Sequence, residues 1–93
     1  MKKLIDEIIK FRDERGWRHH DTPQALAKSI IIEAAELLEN YQWEDEGPNI
    51  ENVKEELADV LIYSIAMASD LGFDPEEIIR EKLIKNAVKY PKQ

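Results

Sequence analysis

The chain has 93 residues, 43% of them hydrophobic, no cysteine, and 20 acidic against 13 basic residues for a net charge of -7. That length fits one domain covering residues 1–93, and the missing cysteine excludes thiol nucleophiles, disulfide frameworks and cysteine-ligated metals. The acidic balance makes duplex nucleic acid a poor partner and divalent metals a good one.

Asp6 and Glu7 follow Lys2 and Lys3 at once, so the N-terminus does not read as a signal peptide. No apolar run approaches the roughly 20 residues of a spanning helix, and no membrane partner is expected. A soluble, cytoplasmic protein is the reading. A domain of this size buries only about 60–65% of its unfolded surface, so self-association is expected to supplement its core.

The three Gly and four Pro fall at boundaries. The first predicted helix covers Lys2 to Arg15, with Leu4, Ile8 and Phe11 as a stripe that Ile5 and Ile9 widen, and Gly16 stops it. Thr22-Pro23 opens the second, which is predicted to run to Trp43 before Gly47-Pro48 closes the loop. Asn49 caps the third, which continues to Leu71 and ends at Gly72. Asp74-Pro75 opens the fourth, with Glu77 completing a capping box, and this helix fades near Lys89. No period-2 run suggests a strand. Four amphipathic helices with short links predict an all-α, four-helix bundle-like domain.

The second and third helices each carry an acidic pair three residues apart, Glu33/Glu36 and Glu56/Asp59. Such residues are neighbours on one helix face. With Glu33 at zero, the apolar residues from Leu26 to Tyr41 fall between roughly 20° and 160°, and Glu36 lies at about 300°. With Glu56 at zero, those from Val53 to Met67 fill roughly 20° to 180°, and Asp59 again lies at about 300°. Both pairs therefore flank their apolar arc on the same side. If the arcs pack antiparallel, four carboxylates meet at the margin of the core.

Each contact at ~4 Å would cost about 1 kcal/mol in water and about 4 at an effective dielectric of 20. A hard dication reverses that sign, and magnesium prefers such oxygen ligands. Glu33, Glu36, Glu56 and Asp59 are accordingly expected to hold Mg²⁺, with Mn²⁺ as a substitute. One Glu-x-x-Glu alone would read as a solvated face; two with matched placement carry more weight. No Glu-x-x-His occurs, as a di-iron site would require.

Glu33-Ala34-Ala35-Glu36-Leu37 followed by Glu56-x-x-Asp59 resembles the signature of MazG-like all-α nucleoside triphosphate pyrophosphatases. The branch it is most similar to is the dCTP pyrophosphatase group. The likeness takes in Trp17, His20-Asp21-Thr22-Pro23, Tyr41-Gln42-Trp43, Glu55 to Tyr63, and Lys85 to Pro91. Ile32 stands where the broader pattern has a first Glu, a departure the dCTP-like branch shares. Contacts that relatives make through terminal extensions are expected to be missing or replaced, which leaves the base open.

The resemblance implies an enzyme that converts a (d)NTP and water to (d)NMP and pyrophosphate, on dCTP or a modified deoxynucleotide. It implies that Glu33, Glu36, Glu56 and Asp59 are the metal-binding and catalytic acids. Trp43 and Tyr63 would stack on the base, and His20, Lys82, Asn86 and Tyr90 would serve base, sugar and phosphates. Assembly as a homodimer or a dimer of dimers is implied as well.

Residue chemistry agrees in part. A bound cation neutralises phosphate and templates water, while a carboxylate not committed to metal takes the water's proton, with Glu36 as first candidate and Glu39 as second. Blander readings stand beside these. Lys85 and Lys89 favour the helix dipole, Trp43 can be a hydrophobic lid, and His20 can be a loop residue. The rival class is a non-catalytic helical binding or scaffold module with solubilising acidic edges, which predicts no stabilisation by Mg²⁺.

Overall fold

The structure, a computed structural model, describes residues 1–43 and 47–93. The acidic segment Glu44-Asp45-Glu46, next to which the sequence sets Trp43, lies outside the described residues. Four α-helices follow in order: α1 (Lys2–Glu14), α2 (Pro23–Glu39), α3 (Ile50–Asp70) and α4 (Pro75–Lys89). A single 3-10 turn, Trp17–His19, stands between α1 and α2, and no strand occurs among the described residues.

Local chemistry explains most of the boundaries. Thr22 Oγ1 accepts from the Ala25 N–H at 3.1 Å and Pro23 takes the first helical position of α2. Asn49 Oδ1 accepts from the Asn52 N–H at 3.2 Å to open α3. At its far end Gly72 adopts φ 82°, the Phe73 N–H reaches Ala68 O at 2.8 Å, and the Gly72 N–H reaches Ser69 O at 3.0 Å. That pair of bonds is a Schellman closure, which favours glycine at its left-handed position. Asp74 accepts from the Glu76 N–H at 3.0 Å. The cap on α4 is thus one-sided, without the expected return from Glu77.

One boundary differs from expectation. α2 ends at Glu39 and does not reach Trp43. Asn40 Nδ2 turns back onto the Glu36 and Leu37 carbonyls at 3.4 and 3.3 Å. The N–H groups of Asn40, Tyr41 and Gln42 then bond to carbonyls three residues back. Those are the tightened bonds of a terminating turn. Asn40 Oδ1 also accepts from Asn52 Nδ2 at 3.0 Å, which clasps the end of α2 to the start of α3.

Asn40 meets Asn52, Glu33 meets Glu56, and Ile30 shares a surface hollow with Ser64 and Met67. α2 and α3 therefore run antiparallel as a hairpin. α1 lies on α3, joined to its far end by Arg12, whose guanidinium is 3% exposed. Arg12 donates to both Asp70 carboxylate oxygens, at 3.0 and 2.8 Å. α4 touches only α3 among the described helices.

One chain does not close a bundle by itself. Among the described residues the buried apolar side chains are Leu26, Ala66, Ala68 and Pro75, while Ile31, Ile84 and Val88 stay 71, 70 and 82% exposed. The radius of gyration is 15.8 Å, against about 12 Å for a compact chain of this length. The four-helix expectation holds at the level of elements, and the packing of one chain is more open than the word bundle implies.

Candidate metal centre and adjoining cleft

Helix period and hairpin register together build the acidic centre. Glu33 projects from α2, and Glu56 and Asp59 project from one face of α3. One carboxylate oxygen from each lies within 4.8 Å of the other two. Glu33 Oε2 and Glu56 Oε2 are buried and have no hydrogen-bond partner. Glu36 stands close enough to share a proton with Glu33 or Glu56, but it lies outside the triad of converging oxygens.

The electrostatics follow from that crowding. Desolvation, followed by the neighbouring Glu56 and Glu36, pushes the Glu33 carboxyl up to about 7. Glu56 is also raised, by desolvation first and then by Glu36. Two buried acceptors that lack donors are costly in a stable fold. An all-oxygen, multiply charged donor set suits a hard divalent cation, and a cation would satisfy both orphaned oxygens.

Tyr63 lies one turn beyond Asp59 and is half-buried. Burial is the main cause of its upward shift, followed by the charges of Glu33, Asp59, Asp21 and Glu36. Its hydroxyl therefore keeps its proton and can donate a hydrogen bond.

Asp59 and Tyr63 also line a cleft of about 720 Å³ between α1 and α3. Leu4, Ile8 and Phe11 form one wall, Leu61, Ile62 and Ile65 the other, and Trp17 stands at the edge. The Phe11 and Trp17 rings meet edge to face at 5.6 Å. An aromatic, apolar cleft lined by a few polar groups has the form of a small-molecule site.

Residues 28–93 match the MazG-like family. This chain belongs to the MazG-like family. It is 32% identical to dCTP pyrophosphatase 1 of Mus musculus over 91 residues, covering 88% of this chain and 54% of that protein. The rat protein of the same name is 33% identical and the human one 32%, each with the same coverage. The chain thus spans about half the length of the curated relatives it matches. A solved pyrophosphatase from Archaeoglobus fulgidus superposes with a TM-score of 0.85 at 42% identity, over 99% of this chain and 93% of that one.

Within this MazG-like chain, the residues singled out from sequence separate into two groups. Glu33, Glu56, Asp59 and Tyr63 come together, with Glu36 alongside. His20 and Trp43 are exposed, Lys82 and Tyr90 are exposed on and after α4, and Asn86 is half-buried there. None of these five lines the cleft. Glu39 is exposed at the last position of α2.

Sequence reasoning missed Arg12, and it named Asp21 and Trp17 only as part of the family resemblance and Phe11 only as part of the α1 stripe, without their place in the cleft. One signal was available for Arg12. With Leu4 at zero it falls at about 80°, inside the apolar arc of α1. A charge in that position marks a buried ion pair.

Proposed function

We propose that this MazG-like chain is a divalent-cation-dependent nucleoside triphosphate pyrophosphohydrolase that cleaves between the α- and β-phosphates and takes dCTP or a modified deoxynucleotide. The observation that carries the reading is the convergence of Glu33, Glu56 and Asp59, with two buried oxygens lacking partners, beside an aromatic cleft that Asp59 also lines. The names of the relatives support the substrate class.

Glu33, Glu56 and Asp59 would hold Mg²⁺ or Mn²⁺, with Glu36 as a fourth ligand or the base. The bound cation supplies charge neutralisation for the phosphates and activation of the attacking water. Glu36, next to the triad, would take the proton of that water. The Tyr63 hydroxyl donates toward the sugar or phosphates, and the cleft seats the base on Trp17 and Phe11. Base–aromatic stacking of this kind contributes roughly 1–3 kcal/mol.

His20, Trp43, Lys82, Asn86 and Tyr90 reach substrate only when a second copy completes the site, so the active form is a homodimer or a dimer of dimers. Nothing favours the scaffold alternative over this reading, because solubilising acids have no need to be buried without partners. The test is pyrophosphate release from dCTP with Mg²⁺ or Mn²⁺. Asp59→Asn should lower turnover by at least about a hundredfold, and undiminished turnover would remove Asp59 from the site. Silence from a full nucleotide panel with both metals would favour the scaffold.

A further inference from the structure

We infer that Asn40 and Asn52 are a positioning pair for the acidic centre, their interhelical hydrogen bond holding the acids of α2 and α3 at a spacing that biases the centre toward Mg²⁺ over Ca²⁺. This inference rests on the metal reading above and adds to it the source of cation selectivity.

The two helices carry the same polar ladder when each is counted away from the Asn40–Asn52 contact. On α2, Glu36 lies four residues from Asn40 and Glu33 three further on; on α3, Glu56 lies four residues from Asn52 and Asp59 three further on. Residues three and four apart share a helix face. The asparagines are therefore the outer rung of a ladder whose inner rungs are the acids. Contact is present at both ends of it: Asn52 Nδ2 donates to Asn40 Oδ1 at 3.0 Å, and the oxygens of Glu33, Glu56 and Asp59 converge within 4.8 Å.

The outer rung also grips the backbone of the acidic turns. Asn40 Nδ2 donates to the carbonyls of Glu36 and Leu37 at 3.4 and 3.3 Å while its oxygen takes the Asn52 amide. Exchange of that oxygen and nitrogen would lose all three bonds, because an amide nitrogen only donates and its oxygen only accepts. On the other side, the Asn52 N–H donates to Asn49 Oδ1 at 3.2 Å in the first turn of α3. Hydrogen bonds thus run from the Glu36 carbonyl to the turn that precedes Glu56. Both asparagines are half-buried, where a hydrogen bond is stronger than in water.

Cation size is what such a link can decide. The facing carboxylates repel, and helices without a tie relieve that repulsion by parting. Magnesium demands a near-ideal octahedron at roughly 2.0–2.1 Å, whereas calcium accepts about six to eight oxygens at about 2.3–2.6 Å in a flexible arrangement. Loosening the pair therefore penalises the smaller ion.

The test is calorimetric titration of the metal-free chain with Mg²⁺ and, separately, with Ca²⁺, in the parent and in Asn52→Ala, which leaves the bonds of Asn40 to its own helix. The variant should bind Mg²⁺ at least about tenfold more weakly and Ca²⁺ nearly as before, so the Mg²⁺/Ca²⁺ affinity ratio falls. Asn52→Ser, too short to span the gap, serves if the alanine variant does not fold. Asp74→Ala removes the cap of α4, lowers the melting temperature without touching the pair, and should keep the parental ratio. An unchanged ratio in the folded Asn52 variant, or an equal fall in Asp74→Ala, overturns the inference. A parent that takes up neither ion overturns it together with the metal centre. Binding of Mg²⁺ without pyrophosphate release from any triphosphate sinks the pyrophosphohydrolase reading alone, and the inference is still decided by the ratio.

Discussion

Glu33 is the residue where folding and ligand binding compete most directly. Its carboxyl, raised from 4.5 to about 7, keeps in the folded state a proton that the unfolded chain has already lost. Proton uptake thus favours the fold; the contribution is full below 4.5 and fades as pH rises through about 7. In the presence of a chelator, the melting temperature should fall between about pH 5 and pH 8. Glu33→Gln should flatten that slope. Added Mg²⁺ should stabilise more strongly at the higher pH, because cation and proton seek the same oxygens. Circular dichroism melts decide the matter, and a chelated protein that gains stability across the interval would contradict the burial of these acids.

At the scale of elements, the attachment of α1 depends on one polar link. Removing Arg12 leaves Asp70 facing the interior without a partner. Arg12→Ala should cost about 3 kcal/mol, the low end for a broken buried pair, since Asp70 keeps 19% of its side-chain exposure. Replacing both members, as Arg12→Met with Asp70→Leu, should cost much less. Urea denaturation of the single and double variants measures the difference. A single variant as stable as the parent would show that apolar contacts alone hold α1.

Helix beginnings were legible from sequence because Thr22-Pro23, Asn49 and Asp74-Pro75 act on their own backbone. The end of α3 was legible for the same reason, since Gly72 is needed wherever a Schellman turn forms. The end of α2 was not, because Asn40 is engaged by Asn52 from another helix. The acidic centre showed through periodicity, which fixes one face on each of two helices. The cleft did not, because it exists only once α1 lies on α3, and no periodicity reports that crossing.

At the scale of the whole molecule, a single copy leaves many large apolar side chains exposed. Ile79, Leu83, Ile84 and Val88 give α4 an exposed apolar surface, and among the described helices α4 contacts only α3. Exposed apolar area of that kind marks an interaction surface. Light scattering should return a multiple of 10.9 kDa, and Leu83→Asp with Val88→Asp should lower both the mass and the melting temperature. A parent that remains monomeric at about 10 μM, where weak dimers of mM affinity would dissociate, would remove the proposed assembly.

The Asn40–Asn52 clasp works as an indexing pin for the hairpin. It sets which turn of one helix faces which turn of the other. A slip of one turn would carry the paired acids about 5.4 Å apart.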